Sequence, residues 1–215
     1  MSIGLTDSQY YSDIADAIRE KTGSAATLTP SEMSTAIAEI SGGVIPDYCD
    51  FCNEYIELPF KLNANHKIFV DYELPTYINQ LQILGNTTGT PSSFYHGLYG
   101  DRIYVYTNNG ENNWSTSGIT VGSRHTLIVN DNGRVVFDGV DKMAGTPNTD
   151  QNVHYTIGYR GASVEFIGKM YRFYIYDTVN DEYLCDLVPI WDSEHNRTAL
   201  KDIINDIVYI PSRRT

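Results

Sequence analysis

The 215-residue chain carries 27 acidic against 15 basic residues, a net charge of −12. That balance argues against nucleic acid and anionic membranes as partners, because no basic patch offsets phosphate repulsion. Hydrophobic residues make up 41%, enough for one β domain of roughly 150–200 residues with an appendage.

No window approaches ~18 apolar residues, so no membrane insertion is expected. The opening Met-Ser-Ile-Gly-Leu-Thr-Asp has neither a basic region nor an apolar run, so no secretory signal is expected.

Residues 1–43 read as a helical hairpin. Thr6-Asp7-Ser8-Gln9 forms a capping box, and Tyr10, Ile14, Ala17 and Ile18 then share one helical face. A second box, Thr29-Pro30-Ser31-Glu32, places proline at the first helical position, where its missing donor costs nothing. Met33, Ala36, Ile37 and Ile40 form the second stripe, and Gly42-Gly43 ends it. Two such short helices bury too little to be stable alone, so they must dock on something. Tyr10, Ile14, Ile18, Met33, Ile37 and Ile40 are the candidate assembly residues. Six acidic residues against Arg19 and Lys21 argue against a DNA-reading helix pair.

Residues 44–53 read as a linker. Cys49 and Cys52 have no second pair to complete a zinc site, and with Cys185 they read as reduced structural thiols. From residue 54 the pattern becomes short strands: 55–58, 67–72, 81–84 and 103–106, with loops at 86–93 and 107–113. Residues 126–139 form a hairpin. A two-residue Asn132-Gly133 turn would pair Val129 with Val136 and mix the faces. A three-residue loop, Asp131-Asn132-Gly133, pairs Val129 with Val135 and Leu127 with Phe137, and is the expectation. Residues 141–152 read as a polar loop. Strands follow at 155–159 and 164–167, and a strand pair spans 168–189. In that pair Tyr171, Phe173 and Ile175 alternate with Arg172, Tyr174 and Tyr176, and Pro189 stops the second strand. Residues 200–210 are a helical turn or a final strand. Many short strands without long helices argue an antiparallel sandwich. No internal repeat is visible.

Two stretches carry a resemblance. Tyr10-Tyr11-x-x-Ile14-Ala15-x-Ala17-Ile18-Arg19-x-Lys21-Thr22-Gly23 and Pro30-Ser31-Glu32-Met33-x-x-Ala36-Ile37 resemble a helical segment of tailed-bacteriophage tail, baseplate and fibre-like proteins. From residue 54 to about 210 the chain is similar to a concanavalin A-like (laminin-G-like) jelly-roll domain. The matching points are Arg124-His125-Thr126-Leu127, Phe137-Asp138-Gly139, Ile157-Gly158, residues 166–171 and Asp186-Leu187-Val188-Pro189. The resemblance implies a mainly β fold, an antiparallel jelly-roll β-sandwich over 54–215 preceded by the α-helical hairpin. It further implies a virion structural protein (tail fibre, baseplate or head fibre) made in the host cytoplasm. Its lectin-like domain would attach to host-surface glycan, and its hairpin would bind other virion proteins and support a homo-oligomer, a trimer first. A capsid-surface decoration or scaffold without ligand is the alternative.

No enzyme is expected. Retaining glycosidases of this fold carry Glu-x-Asp-x-Glu or Glu-x-Asp-x-x-Glu, which is absent. Asp192-Ser193-Glu194 reads as a solvated turn. His66, His96, His125, His154 and His195 lack metal-ligand spacing and read as surface or strand-edge residues. No cofactor is expected. Calcium would need Asp138, Asp141 and Asp150 to gather.

The candidate glycan platform is Trp114 with Glu111, Asn112 and Asn113; a hydrophobic plug is the plainer reading of Trp114. Tyr95 and Tyr99, in 94–99, are second candidates, with core packing as the alternative. Tyr174 and Tyr176, opposite Phe173, face a ligand or a neighbouring subunit.

Overall fold

The computed structural model describes residues 46–74, 81–86, 94–99, 102–108, 110–115, 120–158 and 166–213, together with Ala15, Asp16 and Thr29. The chain divides into two compact units, residues 1–46 with 191–197, and residues 47–190 with 198–215. The expected helical hairpin, with Tyr10, Ile14, Ile18, Met33, Ile37 and Ile40, lies outside the described residues.

The strands, in chain order, are β1 (Cys49–Glu54), β2 (Ile56–Leu62), β3 (His66–Glu73), β4 (Gln82–Asn86), β5 (Tyr95–Tyr99), β6 (Arg102–Thr107), β7 (Gly110–Ser115), β8 (Arg124–Val129), β9 (Arg134–Phe137), β10 (Val140–Ala144), β11 (Asp150–Ile157), β12 (Phe166–Asp177), β13 (Glu182–Asp192), β14 (Arg197–Asp202) and β15 (Ile207–Tyr209). Among the described residues they form two sheets. One has nine strands in the order β10-β9-β8-β3-β12-β13-β14-β15, with β1 also paired to β12. The other has six, in the order β2-β11-β4-β5-β6-β7. The described residues form a mainly β, antiparallel sandwich.

Alternation builds the core. Ile68, Val70 and Tyr72 of β3, Leu127 and Val129 of β8, and Phe173 and Ile175 of β12 turn inward from one sheet. Ile103 and Val105 of β6 and Val153, Tyr155 and Ile157 of β11 meet them from the other. Burying each such aliphatic side chain stabilises the fold by about 1.5–3 kcal/mol. Two hydrogen bonds cross this interior. Tyr72 of the larger sheet meets His96 of the smaller at 3.1 Å, and His66 of the larger meets Tyr155 of the smaller at 3.2 Å. His66, His96 and His125 are all buried, against the expectation of surface or strand-edge positions. Each has found a polar partner, which is what permits burial.

Several local expectations are corrected. β1 starts at Cys49, inside the presumed linker, with Cys49 and Phe51 buried and Asp50 exposed. β12 does not alternate evenly from Tyr171. Its register against β3 shifts between Met170 and Arg172, a bulge that lets both Met170 and Phe173 face the core while Tyr171 stays outside. β13 runs through Pro189 to Asp192. Of residues 141–152, expected as a loop, 141–144 belong to β10 and 150–152 begin β11, and 200–210 contain the end of β14 and all of β15.

The β8–β9 hairpin has the expected register, Leu127 with Phe137 and Val129 with Val135, but a different turn. Asp131 and Arg134 exchange two backbone hydrogen bonds at 2.8 and 3.1 Å, so the turn is the two-residue Asn132-Gly133. Both residues have positive φ, 54° and 77°, as a type I′ turn requires. Asn130, at φ 66°, absorbs the extra residue as a bulge. Its amide nitrogen donates to the carbonyls of Ala64 and His66, and its Oδ1 accepts from the Gly133 N–H.

A short repeat also emerges. In 177–181, 192–196 and 202–206 an Asp opens the turn, and its Oδ1 accepts from the backbone N–H groups two and three residues on. The side chain at the fourth position, Asn180, His195 or Asn205, bonds Oδ2 at 2.9, 2.7 or 2.7 Å. The fifth residue, Asp181, Asn196 or Asp206, is left-handed. The motif is invisible as a helix-scale period because its spacing is irregular, yet Asp-x-x-Asn-Asp occurs twice in the sequence.

Candidate ligand-binding faces

The outward positions of β3, β12 and β13 carry aromatic residues. Phe69 pairs with Tyr174 across β3 and β12, and their rings stack at 4.9 Å and 9°. Tyr183 pairs with Tyr176 across β12 and β13. The Tyr183 ring stands perpendicular to Tyr174 at 5.3 Å and inclined 69° to Tyr176 at 5.1 Å. Four rings from three adjacent strands thus form one half-exposed patch, with Tyr183 at 43% exposure. Tyrosines on a solvent-facing sheet surface combine apolar area with polar tips.

Charged groups frame the patch. Arg172 lies 5.5 Å from the Tyr174 ring centroid and grips Asp186 with two bonds of 2.9 and 2.7 Å. Asp186 is buried, so its carboxylate is compensated by this pair. Lys67 pairs with Asp131 at 2.6 Å, and that hydrogen bond raises its pKa above the ordinary lysine value. The Tyr176 hydroxyl donates to Asp181.

A second cluster lies further along β12. Arg124 is bidentate to Asp71 and stands 3.9 Å above the Tyr171 ring. Glu73 accepts from the Tyr171 hydroxyl at 2.6 Å and from Lys169 at 2.9 Å, and both bonds hold its carboxyl below the usual range. Lys169 also lies 4.6 Å from the Tyr48 ring centroid, and Tyr48 meets Tyr171 edge-on at 5.8 Å. This network closes on itself and fastens the bulged part of β12.

The platform expected around Trp114 is not a loop. Residues 110–115 are β7, at the edge of the six-stranded sheet. Register places Glu111 and Asn113 opposite Tyr106 and Tyr104. It places Asn112 and Trp114 opposite Val105 and Ile103. Asn113 accepts from Arg102 of β6. Tyr95 and Tyr99 lie at the two ends of β5, opposite Tyr106 and Arg102, while their neighbours Phe94, His96 and Leu98 are core.

Asp138 bonds His125 at 2.7 Å, Asp141 bonds Arg134 at 2.8 Å, and Asp150 accepts from the N–H of Asn152. Among the described residues no group of three or more acids, histidines or cysteines is placed to hold a metal ion, so the carboxylates proposed for calcium do not gather. A groove of about 490 Å³ opens beside β2, β11 and β15, lined by Glu57, Leu58, Pro59, His154, Ile207 and Tyr209. Burial pushes the Tyr209 hydroxyl up to about 12.

Tyr174 and Tyr176, expected to face a ligand or a neighbouring subunit, lie on the outer face, and Phe69 and Tyr183 join them only through long-range strand pairing. No family model and no curated protein matches the chain. Among solved structures it is similar to a candidate carbohydrate binding protein from Bacteroides ovatus ATCC 8483, with a TM-score of 0.52 and 13% identity. The match covers 78% of this chain and 58% of that one, so this chain spans less than two thirds of that protein. At this identity the likeness shows a shared fold alone.

Proposed function

We propose that the chain is a non-enzymatic virion component of a tailed bacteriophage. In this reading its sandwich is a concanavalin A-like jelly roll that binds glycan on the host surface. Residues 1–43 are the hairpin that attaches it to other virion proteins and supports a trimer. The observation that carries the reading is the solvent-side patch of Phe69, Tyr174, Tyr176 and Tyr183, whose rings are fixed by one another. Fixed rings bind without losing much rotamer freedom. Several copies on one particle would turn weak single-site affinity into firm adsorption. The fold shared with a candidate carbohydrate binding protein supports this reading.

The test is sedimentation of the full chain with isolated host cell walls. Binding that is lost in Tyr174→Ala/Tyr183→Ala supports attachment. Incorporation into particles with no cell-wall binding would favour a surface decoration instead. Deleting residues 1–43 should abolish incorporation and leave cell-wall binding measurable.

A further inference from the structure

We infer that the ring patch takes an uncharged sugar ring, laid by its apolar C–H face on Tyr183 beside Tyr174, and rejects acidic glycans. The inference rests on the glycan-binding reading above and adds the ligand's chemical class. Tyr174 is covered by Phe69 at 4.9 Å, and Tyr183, the exposed ring of the four, stands at 84° to it, so Tyr183 offers the stacking surface with Tyr174 beside it. A pyranose has the matching shape, with an apolar face bounded by hydroxyls. The Tyr176 hydroxyl spends its hydrogen on Asp181, which leaves its oxygen to accept from a sugar hydroxyl.

The charge pattern selects against anions. Lys67 is matched by Asp131 at 2.6 Å and Arg172 by Asp186 at 2.7 Å. Asp181 then adds a carboxylate beside the rings. A uronate or phosphate on the ligand would have to break one of those pairs or lie against Asp181. The chain's net charge of −12 repels it at longer range.

Affinity electrophoresis of the full chain through two polymer sets tests this. The neutral set is dextran, mannan and galactan; the acidic set is polygalacturonate and a glycerol-phosphate polymer. The wild type should be retarded by a neutral polymer and by neither acidic one. Tyr183→Ala should weaken retardation about tenfold, the loss of one stacking contact, and Tyr183→Phe should leave it nearly unchanged. Asp131→Asn, which frees Lys67, should let an acidic polymer bind. Retardation by neutral polymers that Tyr183→Ala does not change overturns the site while leaving the glycan reading intact. Stronger retardation by the acidic set overturns the ligand class. No retardation by either set, with no cell-wall sedimentation, brings down the glycan reading and this inference together.

Discussion

Tyr72 donates its hydroxyl hydrogen to Nε2 of His96 in the middle of the sandwich, at 3.1 Å. The direction follows from the other ring nitrogen. Nδ1 faces the Tyr104 carbonyl at 3.2 Å, and a carbonyl only accepts, so Nδ1 carries the proton and Nε2 is the acceptor. Both side chains are fully buried. Protonating this ring would place a charge in the core and turn its acceptor into a second donor.

Burial holds the His96 pKa at about 4, against 6.5 in a free side chain. Between those values the unfolded chain takes up a proton that the native ring refuses. Stability from this residue is therefore complete above pH 6.5 and lost as pH falls through 4, about 3 kcal/mol in all. His66 is shifted in the same direction, by burial. Urea midpoints at pH 7.5, 6 and 4.5 should fall in that order; a flat profile would refute the assignment. Tyr72→Phe should cost about 1–3 kcal/mol, by leaving Nε2 buried without a donor.

Gly168→Ala should destabilise the sandwich by about 1–3 kcal/mol. A Cβ there would lie 2.5 Å from the Glu73 carbonyl oxygen and 3.0 Å from the Phe166 ring. The nearer obstacle is backbone, so a side-chain shift cannot relieve it. Chemical denaturation reads the loss, and an unchanged midpoint would mean that β3 yields.

Asn130→Ala should cost about 2 kcal/mol, because one buried amide serves two carbonyls and the Gly133 N–H. Asn132→Ala should cost less, since Asn132 is exposed and contributes its tolerance of positive φ. Equal losses in thermal melts would contradict the bulge as the register-setting element.

The three Asp-led turns should rank by burial. Asp202 is fully buried and also accepts from the N–H of Asp186 at 3.2 Å, so Asp202→Ala should cost about 3 kcal/mol. Asp192→Ala, in a turn whose remaining residues are exposed, should cost about 1 kcal/mol. Reversal of that order in urea titrations would show that the shared geometry does not carry the energy.

Legibility followed burial. The β8–β9 register could be read because Leu127, Val129, Val135 and Phe137 must share a face, whatever the turn does. The turn itself was missed because a bulge at Asn130 achieves the same register as a longer loop. β10 was missed because four of its five residues are exposed, so Val140-Asp141-Lys142-Met143-Ala144 has no inward face to impose a period of two. β7 is an edge strand of polar composition, and the signal for it was the turn-forming Asn108-Asn109-Gly110. The ring patch was half visible. Tyr174 and Tyr176 share one strand, whereas Phe69 and Tyr183 join them only through long-range pairing.

The bridge between Tyr55 and Ser212, two reciprocal backbone bonds of 3.0 and 3.1 Å, brings the junction of β1 and β2 and the segment after β15 to one place. Arg213 lies 3.6 Å from the Cys52 sulfur beside it. A fold with adjoining ends behaves as a cassette. It can be spliced into a loop of a larger host polypeptide without being pulled open. A circular permutant cut in the exposed turn at 203–206 retains every strand only if the new junction is made ahead of β1, at Asp47–Tyr48.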